Sequence, residues 1–199
     1  MRILLIGATG TIGRAVSAAL SARHTVIEAS RKSASERVDV LNADSFTELV
    51  ERIGSFDAVI CTAGESPVGS LQKFDADALI QGLKGKLFAQ IALARLAVPH
   101  LSHGGSITLT SGVVSQRSIR GSMVAAIANG GLEGFVRCAA LELEHGIRIN
   151  IVSPSMLKES MHLYGSFFEG FDPVSACDVA QAYVRFVEGK ETGQVAMLH

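Results

Sequence analysis

Residues 1–13 read MRILLIGATGTIG, and this stretch decides the fold of the chain. An apolar run at 3–6 breaks at once into a turn whose glycines, Gly7, Gly10 and Gly13, lie three residues apart. A buried strand that feeds such a turn and then a helix is typical of a phosphate site lined by backbone N–H groups. The first glycine then permits the tight turn, the second lets the backbone approach a pyrophosphate, and the third lets helix and strand pack closely. The alternative is a plain strand-to-helix turn whose glycines serve only packing.

Composition indicates a globular chain that binds small molecules. The 199 residues are 48% hydrophobic and 19% charged, which predicts one domain over residues 1–199 with a sizeable core. A formal net charge of -1 gives no general electrostatic reason to bind nucleic acid or an anionic membrane. The three cysteines, Cys61, Cys138 and Cys177, lack metal-ligand spacing, so we expect buried thiols and no metal site.

Hydropathy gives the expected location of the protein. No apolar run reaches the roughly 18 residues that a membrane span needs. The apolar start is itself the strand that carries the glycine turn, which argues against a cleavable signal peptide. We therefore expect a cytoplasmic protein that does not bind membranes.

Short apolar runs alternate with longer segments of helical period, which predicts an α/β fold with a doubly wound parallel sheet of seven strands. The predicted strands lie at 2–7, 25–30, 37–40, 57–62, 105–110, 147–152 and 194–198, and the predicted helices at 12–22, 44–53, 76–101, 118–145 and 175–188. In such a fold the ligand crevice lies beyond the carboxyl ends of the strands. Glycines and a proline interrupt two aromatic clusters in 155–173, and we expect this segment to form a substrate lid.

Further motifs follow the glycine turn in a fixed order. They are Asp39-Val40, Cys61-Thr62-Ala63-Gly64, Thr110-Ser111-Gly112 and the run from Ile147 to Pro154. Together with the turn, they make the chain resemble the short-chain dehydrogenase/reductase family from end to end. The resemblance implies a single-domain Rossmann-type fold and a nicotinamide cofactor. It also implies that Asp39-Val40 contacts the adenine and that Pro154 begins the loop that meets the nicotinamide.

The end of the second predicted strand indicates which cofactor is preferred. An acidic residue there suits the ribose hydroxyls of NAD, whereas the 2′-phosphate of NADP needs a cation. The chain offers the Ser30 hydroxyl and the Arg31 guanidinium, which favours NADP(H) over NAD(H). Glu28 lies two residues too early, and the alternative for Arg31 and Lys32 is a solvated strand end. The predicted cofactor-binding residues are Gly7, Thr9, Gly10, Thr11, Ile12, Gly13, Ser30, Arg31, Asp39, Val40, Ala63, Gly64 and Pro154.

The chain departs from the family where the chemistry is expected. Family members pair a serine with a Tyr-x-x-x-Lys motif, in which the tyrosine transfers the proton and the lysine lowers its pKa and holds the ribose. Ser111 matches the serine and would orient a carbonyl, but Ala125 and Asn129 fall at the tyrosine and lysine positions. Alanine has no proton to give, and asparagine supplies no positive charge.

Lys86, Tyr164 or a bound water could replace the missing groups, and Arg117 is a separate candidate for substrate binding. Lys86 falls where the family has a structural asparagine, so its ammonium could exchange roles with Asn129, and we predict Ser111 and Lys86 as the catalytic pair. The alternatives are a surface lysine or an alignment error of one turn. Tyr164 could serve as a replacement acid, although packing is the simpler account. Arg117 could anchor an anionic substrate or belong to an ordinary polar loop.

Small residues along 118–145 indicate close contact with another backbone, because each internal glycine costs roughly 1 kcal/mol of helix stability relative to alanine. They are Ala125, Ala126, Ala128, Gly130, Gly131 and Gly134. In the family the helices that correspond to 76–101 and 118–145 form a dimer interface, so we expect a homodimer or homotetramer. The alternative is that the glycines pack this helix onto its own sheet.

Two functions are therefore expected from the sequence. The first is an NAD(P)-dependent oxidoreductase that acts on a small carbonyl or alcohol substrate with non-standard proton-transfer residues. The second is a catalytically silent NADP(H)-binding sensor or regulatory protein that has kept the nucleotide crevice.

Overall fold

The computed structural model describes residues 1–32 and 34–198. Its strands are β1 (Arg2–Ile6), β2 (Thr25–Ser30), β3 (Glu36–Arg37), β4 (Phe56–Cys61), β5 (Leu101–Thr110), β6 (Arg148–Pro154) and β7 (Val195–Leu198). They form one parallel sheet in the order β3-β2-β1-β4-β5-β6-β7. The predicted α/β fold with a doubly wound, Rossmann-type seven-stranded sheet is confirmed.

The helices are α1 (Thr11–Ser21), α2 (Ala43–Ile53), α3 (Ala76–Leu83), α4 (Ala89–Ala97), α5 (Met123–Glu142), α6 (Met161–Tyr164) and α7 (Ala176–Glu188). The central strands are apolar because both of their faces are covered, as in parallel sheets generally. One face packs against α2, α4 and α5, with Leu49, Leu93 and Leu132 in its core. The other packs against α1 and α7, where Val16 and Tyr183 are fully buried.

The prediction of one continuous helix over 76–101 was wrong. Helix α3 ends at Leu83, a π-helical segment follows over Lys84–Phe88, and α4 begins at Ala89. A 3₁₀ turn, Val98–His100, then leads into β5. A π turn inserts an extra residue into the helical repeat, and such turns are frequent at functional sites.

The predicted helix 118–145 is also shorter in the structure. The chain at Gly121 has a φ of 84°, which an α-helix cannot continue, so α5 begins only at Met123. At the other end Leu143 is extended with a ψ of 129°, which ends the helix at Glu142.

Helix α5 meets the length and hydropathy test for a membrane span, whereas we expected no such segment. Its 20 residues include a window of mean hydropathy 1.2, of which 33% is buried inside the structure. The core helix of a soluble protein passes the same test, and the buried side of α5 packs against the sheet. The expectation of three buried thiols was also wrong, because only Cys61 is buried and Cys138 and Cys177 are exposed.

The segment 155–173 consists of short helical turns beside the carboxyl ends of the strands. They are Lys158–Ser160, helix α6 and Gly165–Phe167. Backbone hydrogen bonds between Lys158 and Val174 and between Val174 and Met156 close the segment at its base. Leu163, Tyr164 and Phe167 are exposed by 51–61%, and we call the segment 155–173 the flap.

Candidate active site

Two neighbouring cavities lie at the carboxyl edge of the sheet, where the strand order reverses between β1 and β4. One cavity, of about 350 Å³, is bordered by the glycine turn and the ends of β2 and β4. The other, of about 560 Å³, is bordered by the ends of β5 and β6 and by the flap. Gly64 borders both cavities, so they adjoin each other, and we call the two together the crevice. In sheets of this type ligands bind at such a reversal point.

The glycine turn is built so that no side chain enters its cradle. Gly7 has a φ of 86°, and a Cβ added there would lie 2.7 Å from the Ala63 nitrogen. A Cβ at Gly13 would lie 2.1 Å from the Gly7 carbonyl oxygen, so only glycine lets α1 pack this closely against the turn. Gly10 is the N-cap of α1, and no side chain caps it. Backbone N–H groups at the start of α1 therefore remain available for a phosphate.

The ends of β2 and β3 border the same cavity as the glycine turn. Buried Ser30 ends β2, and exposed Arg31 follows it directly. Asp39 and Val40, which come after β3, border the same cavity. The Asp39 carboxylate accepts a hydrogen bond of 3.0 Å from the Leu41 N–H, which fixes the turn. Glu28 instead accepts a hydrogen bond from the Ser17 hydroxyl on α1, outside the residues that border this cavity.

Three of the predicted cofactor residues, Thr11, Ile12 and Gly13, lie in the first turn of α1 and do not border either cavity. Ala63 and Gly64 follow β4 and do border the smaller cavity, whereas Pro154 borders the larger one. The sequence-predicted residues are thus distributed along the whole crevice.

Ala125 and Asn129 lie on the side of α5 that faces the larger cavity. The Asn129 side chain is 2% exposed, and its Nδ2 donates a hydrogen bond of 3.1 Å to the Gly112 carbonyl. Within the described residues its Oδ1 has no partner. An unpaired buried acceptor is costly, so this oxygen is suited to a hydroxyl donor from a ligand.

Lys86 lies in the π segment, and its side chain reaches the backbone of Ser111. Its Nζ donates a hydrogen bond of 3.0 Å to the Ser111 carbonyl oxygen, and the residue borders the larger cavity. Burial lowers the pKa of Lys86 to about 8, against the opposing influence of Cys61 and Glu133. A Cβ at Gly64 would come within 2.9 Å of the Lys86 side chain, so the glycine leaves room for it. Lys86 is therefore neither a free surface lysine nor remote from Ser111.

Sequence reasoning missed Glu133, which is 5% exposed behind Ser111. Its Oε1 accepts hydrogen bonds from the hydroxyls of Ser111 at 3.0 Å, Ser115 at 2.8 Å and Ser153 at 3.3 Å. Ser111 thus borders the cavity, and its hydroxyl is hydrogen-bonded to a carboxylate. A signal for Glu133 was available, because positions 125, 129 and 133 share one helical face.

The larger cavity has an apolar wall. Its apolar side chains come from the loop after β5 and from the flap, and include Val113, Val114, Met156, Leu157, Phe167 and Phe168. Tyr164 also borders this cavity and is 51% exposed. The other tyrosine, Tyr183, is fully buried beneath the sheet, where its hydroxyl lies 2.6 Å from the Thr110 hydroxyl and burial raises its pKa.

Arg117 does not border the larger cavity. Its Nη2 donates a hydrogen bond of 3.0 Å to the Gly170 carbonyl, and its guanidinium lies 4.0 Å from the Phe171 ring centroid. The structure therefore joins Arg117 to the flap. Among residues 1–32 and 34–198, no group of three or more His, Cys, Asp or Glu side chains could hold a metal ion.

Comparison with known proteins assigns the chain to a family. A family model described as enoyl-(acyl carrier protein) reductase matches residues 11–198. The chain is 32% identical over 157 residues to versicolorin reductase 1 of Dothistroma septosporum, a match that spans 75% of this chain but 59% of that relative.

Solved structures agree with this assignment. The protein lin1944 from Listeria innocua superposes with a TM-score of 0.97 at 39% identity, over 100% of both chains. A small-chain dehydrogenase solved in complex with NADPH has a TM-score of 0.87 and 28% identity, covering 100% of this chain and 96% of that one. The chain belongs to the short-chain dehydrogenase/reductase family.

Proposed function

We propose that the protein is an NADP-dependent oxidoreductase that reduces a small carbonyl compound or oxidises the corresponding alcohol. One observation carries this proposal: the side-chain-free glycine cradle borders a cavity that adjoins, at Gly64, a second cavity bordered by Ser111 and Lys86. A dinucleotide needs a phosphate cradle of this kind, and a hydride acceptor needs a polar group beside an apolar wall.

The residues of the crevice fit a dinucleotide. The turn at Gly7 and Gly10 would hold the pyrophosphate, and the unpaired Asn129 Oδ1 would accept a ribose hydroxyl. Arg31 and Ser30 at the cavity edge favour the 2′-phosphate of NADP, because a guanidinium binds phosphate through charge-assisted hydrogen bonds. The structural relative with bound NADPH supports the same preference. When bound, the nicotinamide supplies the hydride.

The chain's own residues would bind, orient and polarise the substrate. Ser111 would hold the substrate oxygen, since this residue borders the cavity beside the flap. Lys86, 3.0 Å from the Ser111 carbonyl, would supply the positive charge that Asn129 lacks and favour negative charge on that oxygen. The apolar wall would exclude water and favours an apolar or aromatic substrate.

A catalytically silent NADP(H)-binding sensor is the second candidate. Ala125 in place of the family's tyrosine favours it, because this side chain borders the cavity and carries no proton. In either case we propose a cytoplasmic protein that assembles as a homodimer or homotetramer.

Cofactor titration and a turnover screen distinguish the two functions. NADPH fluorescence should change on binding, with NADPH bound more tightly than NADH, and Arg31→Glu should reverse that preference. Oxidation of NADPH with a panel of aldehydes, ketones and quinones should then reveal turnover, which Ser111→Ala lowers by about 10²-fold.

The outcomes have different meanings. Tight NADPH binding without turnover on any member of the panel would favour the sensor. Tighter binding of NADH than of NADPH would contradict the assignment of Arg31.

A further inference from the structure

Glu133 is a buried acidic residue that the family's usual chemistry does not employ. It lies on α5 one helical turn after Asn129 and two turns after Ala125, on the same side of the helix. Only 5% of the residue is exposed. A buried carboxylate is stable only when polar groups surround it. The nature of those partners therefore indicates what Glu133 does.

Three hydroxyls from three different segments meet Glu133 at one oxygen. Ser111 follows β5, Ser115 lies in the 3₁₀ turn Val113–Ser115, and Ser153 belongs to β6. Their distances to Oε1 are 3.0, 2.8 and 3.3 Å. Each hydroxyl can both donate and accept a hydrogen bond, so a proton can pass through it.

Two of these serines lie in different environments, one at the larger cavity and one towards solvent. Ser111 borders the larger cavity, whereas Ser115 lies outside the cavity lining and is partly exposed in the loop after β5. The Ser115 hydroxyl is also 3.1 Å from the Gly112 carbonyl. Its single proton thus has two acceptors, and it can turn from Glu133 to Gly112 when Glu133 itself carries a proton.

We propose that Ser111, Glu133 and Ser115 form a proton relay between the larger cavity and solvent, which replaces the proton transfer that Ala125 cannot perform. This inference rests on the proposed oxidoreductase function. In carbonyl reduction the substrate carbon gains a hydride from the reduced nicotinamide, and the substrate oxygen takes the proton of the Ser111 hydroxyl. A solvent proton that has passed through the Ser115 hydroxyl to the Glu133 carboxylate then returns to Ser111. Alcohol oxidation reverses each transfer.

Charge near the relay is supplied by Lys86, whose ammonium interacts with Glu133 and hydrogen-bonds to the Ser111 carbonyl. Glu133 acts through Ser111 and is a positioning and proton-holding residue, while Ser111 would touch the substrate. Ser153 donates to the same Glu133 oxygen but lies outside the lining of the cavity, which makes it a matched control.

The relay is tested first without cofactor, by infrared spectroscopy after a rapid drop in pH. The carboxyl band that Glu133→Gln lacks identifies Glu133. In the wild type this band should rise in a fast phase as solvent protons enter through Ser115. Ser115→Ala should lose the fast phase, and Ser153→Ala should keep it. If no band distinguishes wild type from Glu133→Gln, or if Ser115→Ala keeps the fast phase, the relay is overturned.

Turnover with NADPH provides the second test. Glu133→Gln preserves the shape of the side chain and an acceptor oxygen, so NADPH affinity should stay unchanged while turnover falls by about 10²-fold. Wild-type turnover retained by Glu133→Gln would overturn the relay. Failure of the wild type to bind NADPH would instead overturn the proposed function, and the infrared result would still decide whether the relay exists.

Discussion

Lys86 combines a buried charge with a position beside the candidate serine. Its ammonium has lost much of its hydration and is held by the Ser111 carbonyl, so the charged form is less stable in the folded protein than in water. The neighbouring Lys84, in the same π segment, is exposed. The two lysines thus form a natural pair for testing what burial does to a charge.

The stability of the protein should depend on pH through Lys86. Burial lowers its pKa from 10.5 to about 8, so between these values the unfolded chain binds a proton that the folded chain has lost. The free energy of unfolding contributed by Lys86 therefore rises with pH across this window and is lowest below pH 8. Relative to Lys86→Met, the wild type should gain stability from about pH 8 to 10.5 in urea unfolding.

Cys61 contributes to the free energy of unfolding in the opposite direction, over a pH range that overlaps that of Lys86. The reason is that burial raises the pKa of its thiol to about 12. Comparing wild type with Lys86→Met largely cancels that contribution. Lys84→Met, which removes an exposed lysine from the same segment, serves as the control. If the Lys86→Met and wild-type curves were also parallel, the buried charge would be refuted.

At the scale of residues, the sequence predicted the chemistry of the cradle better than that of the reaction. Glycine is needed at positions 7 and 13 because other backbone atoms come too close for a side chain. This need is visible in the sequence as the regular spacing of the glycines. Glu133 was missed because a glutamate on a helix is usually solvated. Only the three-dimensional meeting of β5, β6 and α5 places serine hydroxyls around it.

Elements around the crevice differ in how firmly they are held. The sheet edge is tied to α4 by two hydrogen bonds of 2.9 Å between Gln90 and the Thr110 backbone. The flap over 155–173, by contrast, exposes apolar side chains and is joined to the loop after β5 through Arg117. We infer that Arg117 regulates how often the flap opens.

Replacing Arg117 with alanine should loosen the flap. The change removes a hydrogen bond to Gly170 and a cation–π contact with Phe171, each worth about 1 kcal/mol, which together favour opening by about tenfold or more. Limited chymotrypsin digestion should therefore cleave at Phe167 or Phe168 faster in Arg117→Ala. Gln116→Ala, at an exposed neighbouring position, serves as the control. Equal cleavage rates in all three proteins would show that Arg117 does not hold the flap.

Elements were predictable where a period was regular and bounded. The seven strands were found close to their predicted positions, because apolar runs in a parallel sheet are buried on both faces. The break in the predicted helix 76–101 could not be recognised from the sequence, because the apolar pattern continues across the extra residue of the π turn. That extra residue lies in the segment that carries Lys86.

The outer face of α5 is the surface through which we expect two copies of the molecule to associate. Its small residues do not share one role: Ala128 is buried in the core, Gly131 approaches Leu87, and Gly130 has nothing within 4 Å of an added Cβ. Exposed Ile127 and Leu141 lie on the same helix, at 42% and 88% exposure. Close approach of a second copy would use this open face.

We expect the purified protein to be at least a dimer, with a mass of two or more 20.9 kDa chains by light scattering. Gly130→Arg should convert it to a monomer, because a long charged side chain then projects from the contact face. Gly130→Ala, which adds only a methyl group, should remain assembled. NADPH affinity should be equal in both variants. A monomeric wild type would contradict the assembly.

Because of the π turn at Lys84–Phe88, the direction of the Lys86 side chain depends on how far α3 is rotated relative to α4. Each residue of an α-helix turns the chain by about 100°, so deleting one residue from this segment would rotate α3 against α4 by about that angle. Composition and hydropathy would hardly change. The cation would nevertheless leave the crevice, because its direction is encoded in the count of residues between two helices.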